Sequence, residues 1–369
     1  MTRVCIIGWY GTETMGDRAI LDGIFKILRN KFKNLIVDLG TLNPFFSERT
    51  LLQDRKIYSD GFNSISINLF DEKNKEELYK AIEQSDYVIM GGGPLVDLNE
   101  LYIIRRAFRY AKKKKKITGL IGCGIGPLHI KRLEKVVREI LKLSDIVILR
   151  DPHSEKVACS LGCNKAFVLH DPATISVAEF KNSCLSGQRE KYIALNFRRI
   201  TDEYGVSRTD YIQELVQLLK KFEDTDFALK LIPMHTFFIG GDDRDLFAEL
   251  KGEINSAKVE IVNKPIDIYE LYNIYLKAFG CVGMRYHSIV MQTILNGNNV
   301  ILDYTDPNKG KISGFIKLIH GEEFYRNRYY NLQIGHINEE QIICELNNTD
   351  SLNIEIDPAV EISKYCSYF

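Results

Sequence analysis

Neither sign of charge dominates this chain. Its 49 lysines and arginines are matched by 49 aspartates and glutamates, so the overall field gives no argument for nucleic-acid binding. No apolar run approaches the roughly 18–20 residues that a membrane span needs. The N-terminus, Met1-Thr2-Arg3-Val4-Cys5-Ile6-Ile7-Gly8, runs straight into a strand and lacks the longer apolar core and cleavage site of a secretory signal. Paired cysteines are missing as well. The eight present (Cys5, Cys123, Cys159, Cys163, Cys184, Cys281, Cys344 and Cys366) are scattered, several of them in apolar runs where a thiol behaves as a small hydrophobe. This usage predicts a reduced, cytoplasmic protein. Cys159 and Cys163 share helical spacing, but no Cys/His cluster accompanies them, and no metal site is expected. Internal repeats are absent, and the one low-complexity tract is Lys112–Lys116.

What is present is 369 residues, 45% hydrophobic and 27% charged, which is too long for one ordinary α/β domain and comfortable for two. Short apolar segments alternate with amphipathic ones. Strands are predicted at Val4–Ile7, Leu35–Leu39, Ile65–Phe70, Tyr87–Met90, Ile117–Cys123, Ile146–Leu149 and Ala166–Leu169. Helical spacing is seen from Asp17, with Ile20, Ile24, Ile27 and Leu28 on one face, and over Glu76–Gln84, Asn99–Lys113 and Lys131–Lys142. The polar stretch Ser176–Lys191, with Ser183, Ser186 and Gly187, reads as an inter-domain linker. A second series follows, with strands at Tyr192–Phe197, Phe227–Ile232, Val259–Val262, Ala278–Val282 and Asn299–Leu302 and a helix at Thr209–Phe222. The expected fold class is α/β: two doubly wound, Rossmann-like domains in series, glycosyltransferase-B-like, with a cleft between them. The expected boundaries are 1–178, 190–320 and a tail at 321–369, which either packs as a helix or crosses back to the first domain.

Chemistry-bearing residues collect where strands end. Gly8–Asp17 carries Gly8, Gly11 and Gly16 and opens the first helix, with Asp17 as an N-cap or an acceptor contact. Its spacing is neither the dinucleotide nor the P-loop pattern. Gly91–Asp97 (with Gly92, Gly93 and Asp97) and Gly122–Leu128 follow two further strands, and glycine there permits close approach of a ligand or of the other domain. Arg150-Asp151 and His170-Asp171-Pro172 also close strands, and Asp151 suits the cap of the next helix. In the second half, Arg198 and Arg199, then His235 before Asp242-Asp243, then Arg285 and His287 stand at strand ends. Arginine supplies a fixed fork for carboxylate or phosphate and histidine a proton near neutral pH, so anion binding is the natural chemistry of this set. Lys112–Lys116 ends a helix carrying Arg105, Arg106 and Arg109; it reads as a solvated helix end, or as contact with anionic lipid head groups.

Taken together, these motifs resemble the polysaccharide pyruvyl transferase family. The likeness is carried by the glycine loop Gly8–Asp17, the triple glycine Gly91–Asp97, Gly122–Pro127, Arg150–Ser154, Asp171–Ala173, Met284–His287, and a late stretch from Tyr304 to Lys311 followed by Phe315. It spans about residues 3 to 320. The chain departs from the family pattern at Thr14-Met15 and at Tyr286, which bears on substrate identity more than on reaction type. The resemblance implies phosphoenolpyruvate as donor, with no cofactor or metal, and a cyclic pyruvyl ketal formed on two hydroxyls of a sugar or lipid-linked saccharide. It implies that Arg285 binds donor phosphate or carboxylate and that His287 is the general acid or base. A second donor arginine is expected at Arg198 or Arg199, with Arg150 behind them. His235 is the alternative proton carrier, Lys311 a further substrate contact, and Gly11, Asp17, Gly92, Gly93 and Asp97 the acceptor-side contacts. Two other functions fit the same pattern: a two-domain nucleotide-sugar glycosyltransferase, and a saccharide-binding protein without chemistry. The expected location is the cytoplasm, at the inner membrane face if Lys112–Lys116 meets lipid.

Overall fold

The computed structural model describes residues 1–55, 58, 65–184, 187–200, 210–238, 240–348 and 350–369. Ser186 and Thr209, used above to mark the linker and a helix start, lie outside the described residues. Two compact units divide the chain: Met1–Ser176 with Ile356–Phe369, and Val177–Glu355. The fold is α/β, and each unit is Rossmann-like.

The first unit holds strands β1 (Thr2–Ile7), β2 (Leu35–Thr41), β3 (Ser66–Asp71), β4 (Tyr87–Gly91), β5 (Pro94–Leu95), β6 (Ile117–Ile125), β7 (Ile146–Leu149) and β8 (Phe167–Val168). They run in the order β3-β2-β1-β4-β6-β7-β8, with β5 pairing β6, and every pairing is parallel. The central strands are near-continuous apolar runs because both faces of the sheet are covered. Among the helices are α1 (Met15–Lys31), α2 (Pro44–Gln53), α3 (Lys75–Gln84), α4 (Leu101–Lys113), α5 (Lys131–Leu143) and α6 (Pro152–Ser160), and α7 (Pro172–Ser183) begins in this unit and runs into the second at Val177. The stripe Ile20, Ile24, Ile27 and Leu28 of α1 is at most 1% exposed, worth about 1.5–3 kcal/mol for each large side chain. Asp151 caps α6 as expected, accepting from the Ser154 amide at 2.7 Å. Asp17, by contrast, sits inside the first turn of α1, and Thr14 is the N-cap residue.

The second unit repeats the plan. Strands β9 (Glu190–Asn196), β10 (Ala228–Leu231), β11 (Val259–Ile261), β12 (Ala278–Gly283), β13 (Asn299–Asp303) and β14 (Tyr329–Asn331) form a parallel sheet in the order β11-β10-β9-β12-β13-β14. Its helices include α8 (Tyr211–Glu223), α9 (Asp243–Ile254), α10 (Ile268–Lys277), α11 (Tyr286–Leu295), α12 (Lys311–Leu318) and α13 (Glu339–Asn347). A reciprocal capping box between Asp267 and Glu270 starts α10.

One reading of the sequence needs correction. Ser176–Lys191 is not wholly a linker, because α7 runs through Ser183, with Val177 and Ala178 buried. That helix lacks a clean amphipathic period, so it looked structureless. The tail divides: β14 and α13 belong to the second unit, whereas α14 (Pro358–Cys366) belongs to the first. There the Tyr365 hydroxyl donates to the His170 carbonyl at 2.6 Å, and Phe369 packs against Phe32 and Tyr87.

Candidate active site

In an open doubly wound sheet, ligands bind beyond the carboxyl ends of the strands at the point where strand order reverses. In the second unit that point lies between β9 and β12, whose register pairs Gly283 with Asn196. Arg198 follows the end of β9 and Arg285 follows the end of β12. Asn196, fully buried, fixes their spacing. Its side-chain amide donates to the Ile232 carbonyl at 2.9 Å, and its oxygen accepts from the Arg285 amide at 3.1 Å.

Arg285 is the N-cap residue of α11, with 15% of its side chain exposed. One edge of its fork is committed to Asp243: Nε donates to the two carboxylate oxygens at 2.9 and 2.8 Å, and Nη2 donates to Oδ1. Asp243 also accepts from the amides of Met234 and His235 at 3.0 and 3.1 Å. The carboxylate therefore ties the loop after β10 to the arginine, and a ligand meets only the remaining part of the guanidinium.

His287 is half-buried in the first turn of α11. Strand geometry does not persist past Gly283, so Arg285 and His287 are not alternate residues of one extended segment. They are a cap and a first-turn residue. The His287 ring lies 5.0 Å from that of Tyr286.

Arg198 is 6% exposed. Its guanidinium lies over the Tyr304 ring at 4.7 Å, and its Nη1 donates to the Tyr304 hydroxyl at 3.0 Å. Arg199 points elsewhere, forming an ion pair with Glu249 near the surface. Of the two expected arginines, the structure brings Arg198 to the cluster. Lys311, at the start of α12, places its ammonium 5.7 Å from the Tyr304 ring and 6.0 Å from the Tyr286 ring. Burial alone pushes the Tyr304 phenol up. The Lys311, Arg198 and Arg285 charges, together with the Arg198 hydrogen bond, outweigh that and bring its pKa down to about 7. Arg198, Arg285, Lys311 and Tyr304 thus form an electropositive patch across three adjacent strand ends, an arrangement that can neutralise a small multivalent anion. His235, 7% exposed, sits beside Asp243 at the end of the loop after β10.

The corresponding reversal in the first unit lies between β1 and β4 and is filled from within. The Tyr10 hydroxyl donates to the Gly91 carbonyl at 2.8 Å, and the Trp9 indole donates to the Pro94 carbonyl at 3.1 Å. The glycines expected to admit a ligand instead admit these neighbours. A Cβ on Gly93, whose φ is +73°, would lie 2.2 Å from Trp9; one on Gly92 would lie 2.2 Å from Ile20; one on Gly11 would lie 2.5 Å from Thr41. Asp97 accepts from the amides of His129 and Ile130, pinning the loop before α5. Arg150, also of this unit, is 2% exposed and donates to Asp171 at 3.0 Å. A cavity of about 30 Å³ remains beside the first loop, lined in part by Gly11, Glu13, Asp17 and Arg18. Sequence reasoning missed Glu72, 1% exposed at the end of β3, where the Gly8 amide donates to it at 3.3 Å. Burial drives its carboxyl up to about 8, against that single hydrogen bond. In the lysine tract, Lys112 pairs with Asp145 and Lys114 with Glu83.

No metal cluster is legible in the sequence, but folding brings Asp210, Glu214 and His336 within one ligand set's reach. Glu214 and His336 are 122 positions apart in the chain and 2.6 Å apart in space. Among the described residues, no helix is long and apolar enough to cross a membrane.

Two Rossmann-like units, one with a cationic strand-end cluster, define the glycosyltransferase-B-like class. The polysaccharide pyruvyl transferase family model matches residues 15–307, and the chain belongs to that family. It is therefore a transferase. Solved structures share the fold at low identity. UDP-GlcNAc 2-epimerase from Methanocaldococcus jannaschii is 14% identical with a TM-score of 0.62, covering 99% of this chain and 100% of that one. The MnaA protein of S. aureus, solved with UDP, is 13% identical with a TM-score of 0.56, covering 96% and 100%. A glycosyltransferase from Rickettsia africae is 13% identical with a TM-score of 0.52, covering 100% and 93%. No curated protein sequence matches.

Proposed function

We propose that the protein transfers the pyruvyl group of phosphoenolpyruvate to a saccharide as a cyclic ketal, releasing phosphate. The observation that carries this reading is the cationic cluster at the strand-order reversal of the second unit, in a chain of this family. Phosphoenolpyruvate carries a phosphate and a carboxylate on the same carbon, which suits several fixed cations better than one. In this reading Arg198, Arg285 and Lys311 hold the donor, and His287 moves a proton as general acid or base, with His235 as the alternative. Protonation of the donor's methylene carbon makes the carbon bearing phosphate electron-deficient. A sugar hydroxyl attacks there, phosphate leaves, and a second hydroxyl closes the ring. Fixed cations stabilise the departing charge. The reaction moves no electrons between redox partners, and we assign it no cofactor. The first unit is assigned the acceptor, with Asp17 and Asp97 as hydroxyl contacts. The expected location is the cytoplasm, and a lipid-linked acceptor would place the protein at the inner membrane face, with Lys113, Lys115 and Lys116 as the lysines to test there.

The test is phosphate release from phosphoenolpyruvate across a panel of saccharides, with product masses. A saccharide-dependent product carrying the added pyruvyl mass supports the reading. Protection against heating by nucleotide sugars and not by phosphoenolpyruvate would overturn it in favour of glycosyl transfer.

A further inference from the structure

Tyr304 is the one member of the cationic cluster that carries neither a cation nor an assigned task. It is 1% exposed, just beyond the end of β13. Its hydroxyl lies 3.0 Å from Arg198 Nη1, and its ring faces both the Arg198 guanidinium and the Lys311 ammonium. A buried tyrosine whose role was only to fill space would pack against apolar groups. This one is wrapped by the groups proposed to hold the donor, with its phenolic oxygen accepting from Arg198.

The surrounding charges can be followed element by element. Arg198 approaches from the end of β9. Arg285 comes from the end of β12, already half-neutralised by Asp243 of α9. Lys311 comes from α12, and among the described residues it makes no ion pair. Beside Tyr304, the last residue of β13, Asp303, accepts from the Thr305 amide and hydroxyl and from the Tyr329 hydroxyl. His287 stands beside Tyr286 in the first turn of α11. The nearby cations outnumber the nearby carboxylates, so in the free protein the phenol is the group able to supply balancing negative charge. An arriving dianionic donor would supply that charge instead and remove the reason for the phenol to stay ionised.

We propose that Tyr304 is a catalytic residue of this site: it takes up a proton as an anionic donor binds and delivers that proton to the donor's methylene carbon. The inference rests on the pyruvyl-transfer reading and deepens it by dividing the proton traffic. The Tyr304 O–H bond breaks and a C–H bond forms at the methylene carbon, using the electron pair of the donor's double bond. The first sugar hydroxyl adds to the neighbouring carbon, and its proton ends on the phenolate oxygen by way of His287. The C–O bond to phosphate then breaks, phosphate departing with the electron pair. The second hydroxyl adds, and its proton leaves with phosphate. One phosphoenolpyruvate and one diol give one ketal and one hydrogen phosphate.

The experiment measures proton uptake and tyrosinate absorbance when phosphoenolpyruvate or inorganic phosphate is added to the full-length protein. Calorimetry in buffers of different ionisation enthalpy counts the protons. Above the free-site value of about 7, wild type should take up close to one proton per donor bound and lose tyrosinate absorbance. Well below that pH, uptake should vanish. Tyr304→Phe keeps the ring, so it should still bind donor, but it should show no uptake and turn over roughly 10²–10⁴-fold more slowly. Donor binding without proton uptake in wild type overturns the role of Tyr304 and leaves the pyruvyl-transfer reading standing. Phosphate-driven uptake with no affinity for phosphoenolpyruvate keeps the coupled tyrosine and sinks the donor assignment. Normal turnover in Tyr304→Phe, with a native melting profile, overturns the catalytic role.

Discussion

Replacing Arg285 by alanine tests the site and its support together. The Asp243 side chain is 1% exposed and receives Arg285 along a full edge, plus two backbone amides. Alanine leaves that carboxylate buried with only the neutral donors. Breaking a buried ion pair from one side costs about 3–5 kcal/mol, and because 15% of the Arg285 side chain reaches solvent, the lower end applies. In a unit of this size each kcal/mol moves the melting temperature by about 2–4 °C, so a fall of roughly 6–12 °C is expected. Adding Asp243→Asn to Arg285→Ala removes the orphaned charge and should recover part of the loss, with a coupling of about 1–3 kcal/mol across the double-mutant cycle. Donor affinity, measured by calorimetry well below the melting range, should still fall by about 2–5 kcal/mol in the alanine variant. Arg285→Lys should restore little, since an ammonium cannot span both carboxylate oxygens and a ligand. An unchanged melting temperature in Arg285→Ala would refute the structural half of this reasoning, and unchanged donor affinity the functional half.

Further outcomes follow from groups elsewhere. Glu72 is raised from an ordinary 4.5 to about 8 by burial, so its contribution to stability is complete below about 4.5 and is lost as pH rises through about 8; at about 1.4 kcal/mol per unit this amounts to at most about 5 kcal/mol. Glu72→Gln should flatten the melting profile over that window, and an unchanged slope would count against it. Gly93→Val should destabilise the first unit outright, by well over 1 kcal/mol, because a Cβ there meets Trp9 at 2.2 Å in a left-handed backbone conformation; a soluble variant with wild-type melting would contradict the geometry. Arg150→Ala should cost about 3–5 kcal/mol of stability through the orphaned Asp171, while a variant that still folds keeps its donor affinity.

The alternation of apolar runs and amphipathic helices made both sheets legible, because a strand buried on two faces leaves an unbroken hydrophobic stretch and a covering helix leaves a stripe. β5 and β14 were missed, being two and three residues long, and so was α7, whose burial is not confined to one face. The strand-end residues were also legible as a set, since a doubly wound sheet delivers every such residue to one edge. Their partners were not. Nothing in the sequence pairs Arg285 with Asp243, 42 positions away, or turns Arg198 inward and Arg199 outward. The glycine loops misled for a physical reason: absence of a side chain records that something comes close, but not whether it is a ligand or a neighbouring tryptophan.

That ambiguity resolves differently in the two units, and the difference bears on which one receives the anion. Both sheets reverse their order at a central strand pair, and both place glycines or arginines there. In the first, Trp9 and Tyr10 hydrogen-bond across the reversal to Pro94 and Gly91, so the crevice is closed by the unit's own aromatic rings. The nearest titratable groups there are carboxylic: Glu72, which burial holds protonated near neutral pH, and Asp17. In the second, the reversal is bordered by Arg198 and Arg285, with Lys311 and Tyr304 one strand further along. A donor bearing a phosphate and a carboxylate gains from the second environment, whereas the first offers it Asp17 and no comparable set of cations. A saccharide hydroxyl has the opposite preference, because a carboxylate accepts its hydrogen bond. The proposal therefore assigns donor to the second unit and acceptor to the first on charge alone, independently of any glycine.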